Sequence, residues 1–263
     1  MTNKISTSSL YSLSIQVHLD GFSFYIQNIA SKEITCFENI QFNTNSTLQN
    51  LPKQIERVFD THKELQHIYK EVRVIYSNNL FTLVPLALFD ESKAVDYLKF
   101  NTKILSTDFV AHDALEQHDL INVYVPYTNV NNYFFEHFGS FNYYHSITLF
   151  TKELFKTSQG SSNPEVLALI SPSHFYLGIL REKKILLVNR FEIKTPEDFI
   201  YYTLFCFEQL NINPDSVRFK VTGHIQKGDD FYNMAYTYIR NIEILQSTVT
   251  EIPKEHYLLA SLI

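Results

Sequence analysis

The chain has no tryptophan, only two cysteines and no extended apolar run in its 263 residues. Each shortage removes a class of protein. Cys36 and Cys206 sit among apolar neighbours, without the paired spacing of a metal site or the density of a disulfide framework. Both read as inert buried thiols, although the sequence leaves a single bridge between them open. Nothing approaches the ~20 apolar residues of a membrane span, and residues 1–10, rich in Ser and Thr and without an apolar run, are not expected to be a secretory leader. A cytoplasmic protein is expected. Basic clusters are scarce too. Residues 1–150 hold 10 basic and 15 acidic side chains, residues 151–263 hold 12 and 13, and the net charge is −6. Nucleic acid and anionic membrane both require clustered Lys and Arg, so neither is an expected partner. The densest basic run, residues 181–184, fits a solvated hairpin turn. No Gly-x-Ser-x-Gly elbow exists, so the Ser173-His174 pair makes no hydrolase.

What the chain does have is core material. Hydrophobic residues make up 45%, and 22 Phe with 17 Tyr favour strands over an all-helical bundle. A chain of this length buries roughly 75% of its unfolded surface. The dominant pattern is one plan written twice. Residues 14–37 read as a hairpin with a return strand, residues 165–191 read the same way, and each is followed by a helix and a strand. Similar halves joined head to tail are expected to meet across a ligand-binding cleft.

The first half opens on Asp20-Gly21, a hairpin signal that calls for positive φ at both positions. The polar stretch 43–50 supplies N-caps for a helix carrying Leu51, Ile55, Val58 and Phe59, followed by a strand at 72–76. Further on come a short strand from Phe81, a helix capped by Asp90, an antiparallel pair at 109–115 and 120–125, and two helices. The small, polar stretch 159–164, closed by Pro164, is the best boundary. It divides the chain into residues 1–160 and 161–263. In the second half, Thr195-Pro196-Glu197-Asp198 announces a helix start. That helix is apolar nearly all round, so cover on more than one side is expected. The strand at 217–221 ends at Thr222-Gly223-His224, and a helix, an edge strand and a helical tail complete the chain. Mixed sheets flanked by helices make an α/β protein.

The duplicated plan resembles the actin-like ATPase superfamily, in which two ribonuclease-H-like halves enclose a nucleotide. The stretches Leu83-Val84-Pro85-Leu86-Ala87-Leu88-Phe89 and Asn189-Arg190-Phe191-Glu192-Ile193-Lys194-Thr195-Pro196-Glu197-Asp198-Phe199 are similar to a bacterial family, domain of unknown function 3822. That resemblance spans nearly the whole chain. It implies the duplicated actin-like fold and no established activity. It also implies kinship with cytoplasmic scaffold subunits of type IV pilus and type II secretion machines.

The superfamily resemblance also says where ATP and Mg²⁺ would sit. An Asp-x-Gly-x-Ser/Thr hairpin turn in each half wraps backbone N–H groups around phosphate, its acid holds metal-bound water, and a late Gly-Gly turn admits the adenosine. This chain offers Asp20, Gly21 and Ser23 in the first turn, at a spacing one residue short and with Phe22 between them. The second turn, Ser171-Pro172-Ser173-His174, has neither Gly nor Asp, and Pro172 lacks an N–H. The third offers Gly223 alone. No cofactor is expected, with ATP and Mg²⁺ as the alternative.

The remaining candidates have plainer explanations. His62 and His67, five apart, do not share a helix face. His112, Asp113, Glu116 and His118 fit a surface loop, and Cys206, mid-helix, has no nearby base. The aromatic groups at 124–127, 133–135 and 143–144 belong mostly to the core, unless one is an exposed protein-binding patch. The expectation is a catalytically degenerate actin-like scaffold or adaptor with an unidentified protein partner. An ATP-binding or ATP-hydrolysing protein with atypical phosphate loops is the alternative, and a subunit that polymerises is a third class.

Overall fold

The structure, a computed structural model, describes residues 10–42, 46–100, 104, 108–247 and 249–263. The N-terminal residues 1–9 and part of the cap-supplying stretch, 43–45, lie outside the described residues. The chain splits into two compact units, one reaching to Thr148 and including Leu262 and Ile263, the other Leu149–Ser261.

In the first unit, β1 (Tyr11–Val17), β2 (Gly21–Asn28) and β3 (Ile34–Gln41) form an antiparallel meander. Next come α1 (Leu51–Thr61) and β4 (Glu71–Tyr76), then β8 (Asn142–His145) at the far edge, giving the order β3-β2-β1-β4-β8. β4 and β8 run parallel to β1. Alternation sends Leu13, Ile15, Val17, Phe22, Phe24, Val72, Val74 and Tyr76 to one face. There they meet Ile55, Val58 and Phe59 of α1 and Val130 and Phe134 of α3 (Thr128–Phe138). Aromatic edges fill that core, for example Phe22 against Phe59 at 6.2 Å and Phe59 against His137 at 4.7 Å. Between β4 and α3 lies a second sheet. β5 (Phe81–Pro85) and β6 (Ala111–Leu115) flank β7 (Leu120–Tyr124), and α2 (Ala94–Leu98) buries Leu98 against Ile121 and Val123.

The second unit repeats the main sheet. β9 (Glu165–Ile170), β10 (His174–Arg181), β11 (Lys184–Glu192), β12 (Arg218–Gly223) and β13 (Ile242–Ile244) take the order β11-β10-β9-β12-β13. One face packs on α5 (Pro196–Gln209) and α6 (Asp230–Tyr238). On the other face, Phe150 and Leu154 of α4 (Ser146–Thr157) lie so close that a Cβ at Gly178 would stand 2.6 Å from the Leu154 methyl. Glycine lets the helix approach. A short helix, α7 (Tyr257–Ala260), follows.

The duplication extends to irregularities. The β2–β3 register slips at Ile26/Gln27, leaving Thr35 as the extra residue, and the β10–β11 register slips at Ile179/Leu180, leaving Leu186. α5 begins as its sequence requires: Thr195 accepts the Asp198 N–H, and the Asp198 carboxylate accepts the Thr195 N–H in return.

Four expectations change. Asp20-Gly21 is not a positive-φ turn. Residues 19 and 20 are the loop, Gly21 opens β2, and neither Asp20 nor Gly21 has positive φ. The hairpin that does use that geometry joins β10 to β11, with Glu182 at φ 52° and Lys183 at φ 60°. α5 is not covered all round, since Tyr201 is 62% and Phe205 48% exposed. Asn50 caps α1 without a side-chain cap bond; its oxygen instead accepts from the Thr47 N–H and the Gln54 amide. Finally β8, four residues without an alternation signal, was not foreseen.

Candidate functional site

Ligands of open α/β sheets bind beyond the carboxyl ends of the parallel strands, where the strand order turns back. In the first unit that edge comprises the ends of β1, β4 and β8 and the turn between β1 and β2. Asp20, Gly21 and Ser23 all lie on this one hairpin. Asp20 is exposed in the two-residue loop, closed by the His18 N–H donating to the Gly21 carbonyl at 2.9 Å. The Asp20 carbonyl accepts the Phe42 N–H at 2.8 Å. A Cβ on Gly21 would sit 3.2 Å from the Ile40 carbonyl oxygen, so β3 closes tightly over this glycine. Ser23 is buried, and its hydroxyl donates across the sheet to Asn39 Oδ1 at 3.1 Å.

Beside this turn the structure gathers a polar network that the sequence did not announce. The Asp113 carboxylate accepts from the Tyr124 hydroxyl (2.9 Å), the Thr148 hydroxyl (2.6 Å) and the His145 backbone N–H (2.9 Å). Asp113 therefore belongs to no surface loop. It lies on β6 and places a negative charge at the amino end of α4, where the helix dipole favours one. Burial, followed by the Asp113 charge, pushes the Tyr124 hydroxyl far above its ordinary pKa, so it stays a donor. The His145 ring is fully buried. Its Nδ1 accepts the Ile147 N–H at 3.2 Å, which fixes the tautomer and leaves Nε2 to donate to Asn78 Oδ1 at 3.3 Å. Asn78 also donates to the Val125 carbonyl (2.8 Å), and Gln16 donates to Ser77 Oγ (3.2 Å). These groups satisfy one another and tie the inserted sheet to the end of β4. Their sequence signal was faint: polar Ser77-Asn78 directly after an apolar strand.

Gly223 lies in the second unit, at the end of β12, with φ +87°. A Cβ there would collide with the Ile170 carbonyl oxygen, which accepts the His224 N–H at 2.8 Å. Nearby, burial and then the charge of His224 lower His256 to about 4. Burial also lowers His224, with the Glu255 charge opposing it. At the hairpin turn, the Ser171 N–H donates to the His174 carbonyl at 2.8 Å, and Ser173 Oγ lies 3.3 Å from His174 Nδ1. Among the described residues no group of three or more His, Cys, Asp or Glu side chains is arranged to hold a metal ion. Cys36 and Cys206 are free thiols, both pushed up by burial, so neither is an activated nucleophile. No helix among the described residues is long and apolar enough to cross a membrane.

A family model, "Protein of unknown function (DUF3822)", matches residues 1–242. The chain belongs to this family. No curated protein matches it. Among solved structures, the DUF3822 chain is similar to a Bacteroides thetaiotaomicron VPI-5482 protein with actin-like ATPase fold and unknown function. Identity is 22% and the TM-score 0.83, covering 93% of this chain and 94% of that one. It is also similar to a chain of the "PilM-PilN type IV pilus biogenesis complex". There identity is 10% and the TM-score 0.59, over 95% and 97% of the two chains. The DUF3822 chain thus has the actin-like ATPase fold, with mixed sheets flanked by helices.

Proposed function

We propose that this DUF3822 protein is a catalytically degenerate actin-like protein that works in the cytoplasm as a scaffold or adaptor for a protein partner. The observation that carries the reading is the condition of the two turns where superfamily resemblance puts the phosphates. Gly21 lacks the positive φ that would curl its backbone into a nest, and it lies under the Ile40 carbonyl. The Ser23 hydroxyl is taken by Asn39, and Pro172 brings no N–H to the second turn. Phosphoryl transfer draws nearly all its rate from positioning and charge stabilisation, so turns without these donors have little to offer it. A protein of the same fold occurs in the PilM-PilN complex, which lends the adaptor reading an architectural precedent.

The alternative is an ATP-binding or ATP-hydrolysing protein. The exposed carboxylate of Asp20 and the positive φ of Gly223 favour it. Calorimetry with ATP and Mg²⁺ decides between them. No heat of binding is expected, whereas saturable micromolar binding abolished by Asp20→Ala would overturn the degenerate reading. Affinity purification of the tagged chain is expected to recover a stoichiometric protein partner.

A further inference from the structure

We propose that the outer edge of β11 is a homodimerisation edge, pairing antiparallel with β11 of a second copy of this chain about a two-fold axis at Phe191. The inference stands apart from the scaffold reading and rests on β11 and α5 alone. β11 is one of the two edge strands of its sheet. The Ile193 N–H donates to the Ser173 carbonyl at 3.0 Å, so residues 189, 191 and 193 direct their backbone groups toward β10. By alternation Val188, Arg190 and Glu192 direct theirs away from the sheet. An independent bond agrees: the Arg190 N–H is taken up by the side-chain oxygen of its own neighbour Asn189, at 2.9 Å. The bulge at Leu186 confines the regular edge to residues 187–192.

An axis at Phe191 uses only this regular edge and residues just beyond it. It sets Arg190 opposite Glu192 of the second copy, and Glu192 opposite the second copy's Arg190. The charges complement each other twice, on residues whose backbone faces outward. Within one chain Arg190 already bonds to Glu192, so pairing exchanges the two internal ion pairs, one in each copy, for two across the seam. Beside the edge runs a line of aromatic rings. Phe175 stacks on Phe191 (5.3 Å), Phe191 on Tyr202 (5.1 Å), Tyr202 meets Tyr201 (5.3 Å), and Tyr201 stacks on Phe205 (6.3 Å). The last two rings are the exposed ones on α5. A second copy joined at β11 brings its own α5 alongside and covers them, which accounts for large aromatics left in water.

Sedimentation velocity over a concentration series of the full chain tests this. Twice the chain mass is expected at high concentration. Proline is tolerated on an edge strand where the N–H faces away from the sheet. Glu192→Pro is therefore expected to keep the circular dichroism spectrum and to sediment as a monomer. Glu192→Arg is expected to weaken the dimer through like charges, and Arg190→Glu with Glu192→Arg to restore it, which keeps the test valid if the proline variant misfolds. Tyr201→Ser with Phe205→Ser is expected to raise the dimer dissociation constant about tenfold. A wild-type monomer at every concentration, or a dimer indifferent to the charge series, would overturn the proposal.

Discussion

The two units handle the same strand ending in different ways. In each, the residue after the second parallel strand donates its N–H to the last carbonyl of the first: Ser77 to Val17 at 3.0 Å, His224 to Ile170 at 2.8 Å. In each, the chain leaving the third strand donates into the hairpin turn: Phe42 to Asp20, Ile193 to Ser173. The frame is one frame twice. Yet the residue aligned with the end of the first strand is Tyr76 in the first unit and Gly223 in the second. After Tyr76 the chain continues into the inserted sheet. After Gly223 it folds back at once, Ile225 N–H to Gly223 carbonyl at 2.8 Å, to start the approach to α6. A conserved backbone frame therefore tolerates opposite side-chain demands, because what leaves the sheet decides the φ at its rim.

The sharpest way to break this comparison is Gly223→Ala. The added carbon meets the Ile170 carbonyl in a left-handed backbone, so a loss of about 3 kcal/mol or more is expected in urea unfolding. Tyr76→Phe, at the matching rim, gives up one bond to Asn131 Oδ1 and is expected to cost only about 1 kcal/mol. Asp113→Asn comes next. It replaces an anion accepting three donors, and a loss of about 2–3 kcal/mol is expected by the same measurement.

Glu165 has the matching effect in the second unit. Although burial opposes ionisation, the Ser158 hydroxyl and the N–H groups of Gln159, Ser161 and Gly160 hold its carboxyl below the ordinary glutamate value. A group with a depressed folded-state pKa stabilises the fold above its unfolded pKa and loses that contribution as pH falls through the folded value. Glu165→Gln is thus expected to cost about 1–3 kcal/mol near pH 7. The gap from wild type is expected to narrow below about pH 4. A gap constant with pH would show the anion to be irrelevant. The smallest effect concerns the turns. Glu182→Asn with Lys183→Gly places residues suited to positive φ at the β10–β11 turn and is expected to stabilise by about 1 kcal/mol. Asparagine substituted at Asp20, where φ is not positive, is expected to do nothing comparable.

The fold was legible in the sequence where one residue type served one local demand. Thr195-Pro196-Glu197-Asp198 could hardly be anything but a helix start, and the α1 stripe of Leu51, Ile55, Val58 and Phe59 lies buried as its spacing required. It was not legible where partners were distant in sequence. Asp113 looked like loop because its three donors come from Tyr124, His145 and Thr148, and no local pattern links them. Asp20-Gly21 looked like a two-residue turn because the pair is common there, but the hydrogen bond between His18 and Gly21 moved the loop one residue back. Of the candidate site, the hairpin was legible and the surrounding polar network was not.

By itself the sequence determined the family, the repeated hairpin, helix and strand of each half, and the cap of α5, since these follow from period, composition and nearest neighbours. Only the tertiary structure decided which amides the turns expend on their own sheet, which carboxylate anchors α4, and which aromatics remain in water. Those outcomes depend on groups brought together across tens of residues, where packing rather than local preference sets the geometry.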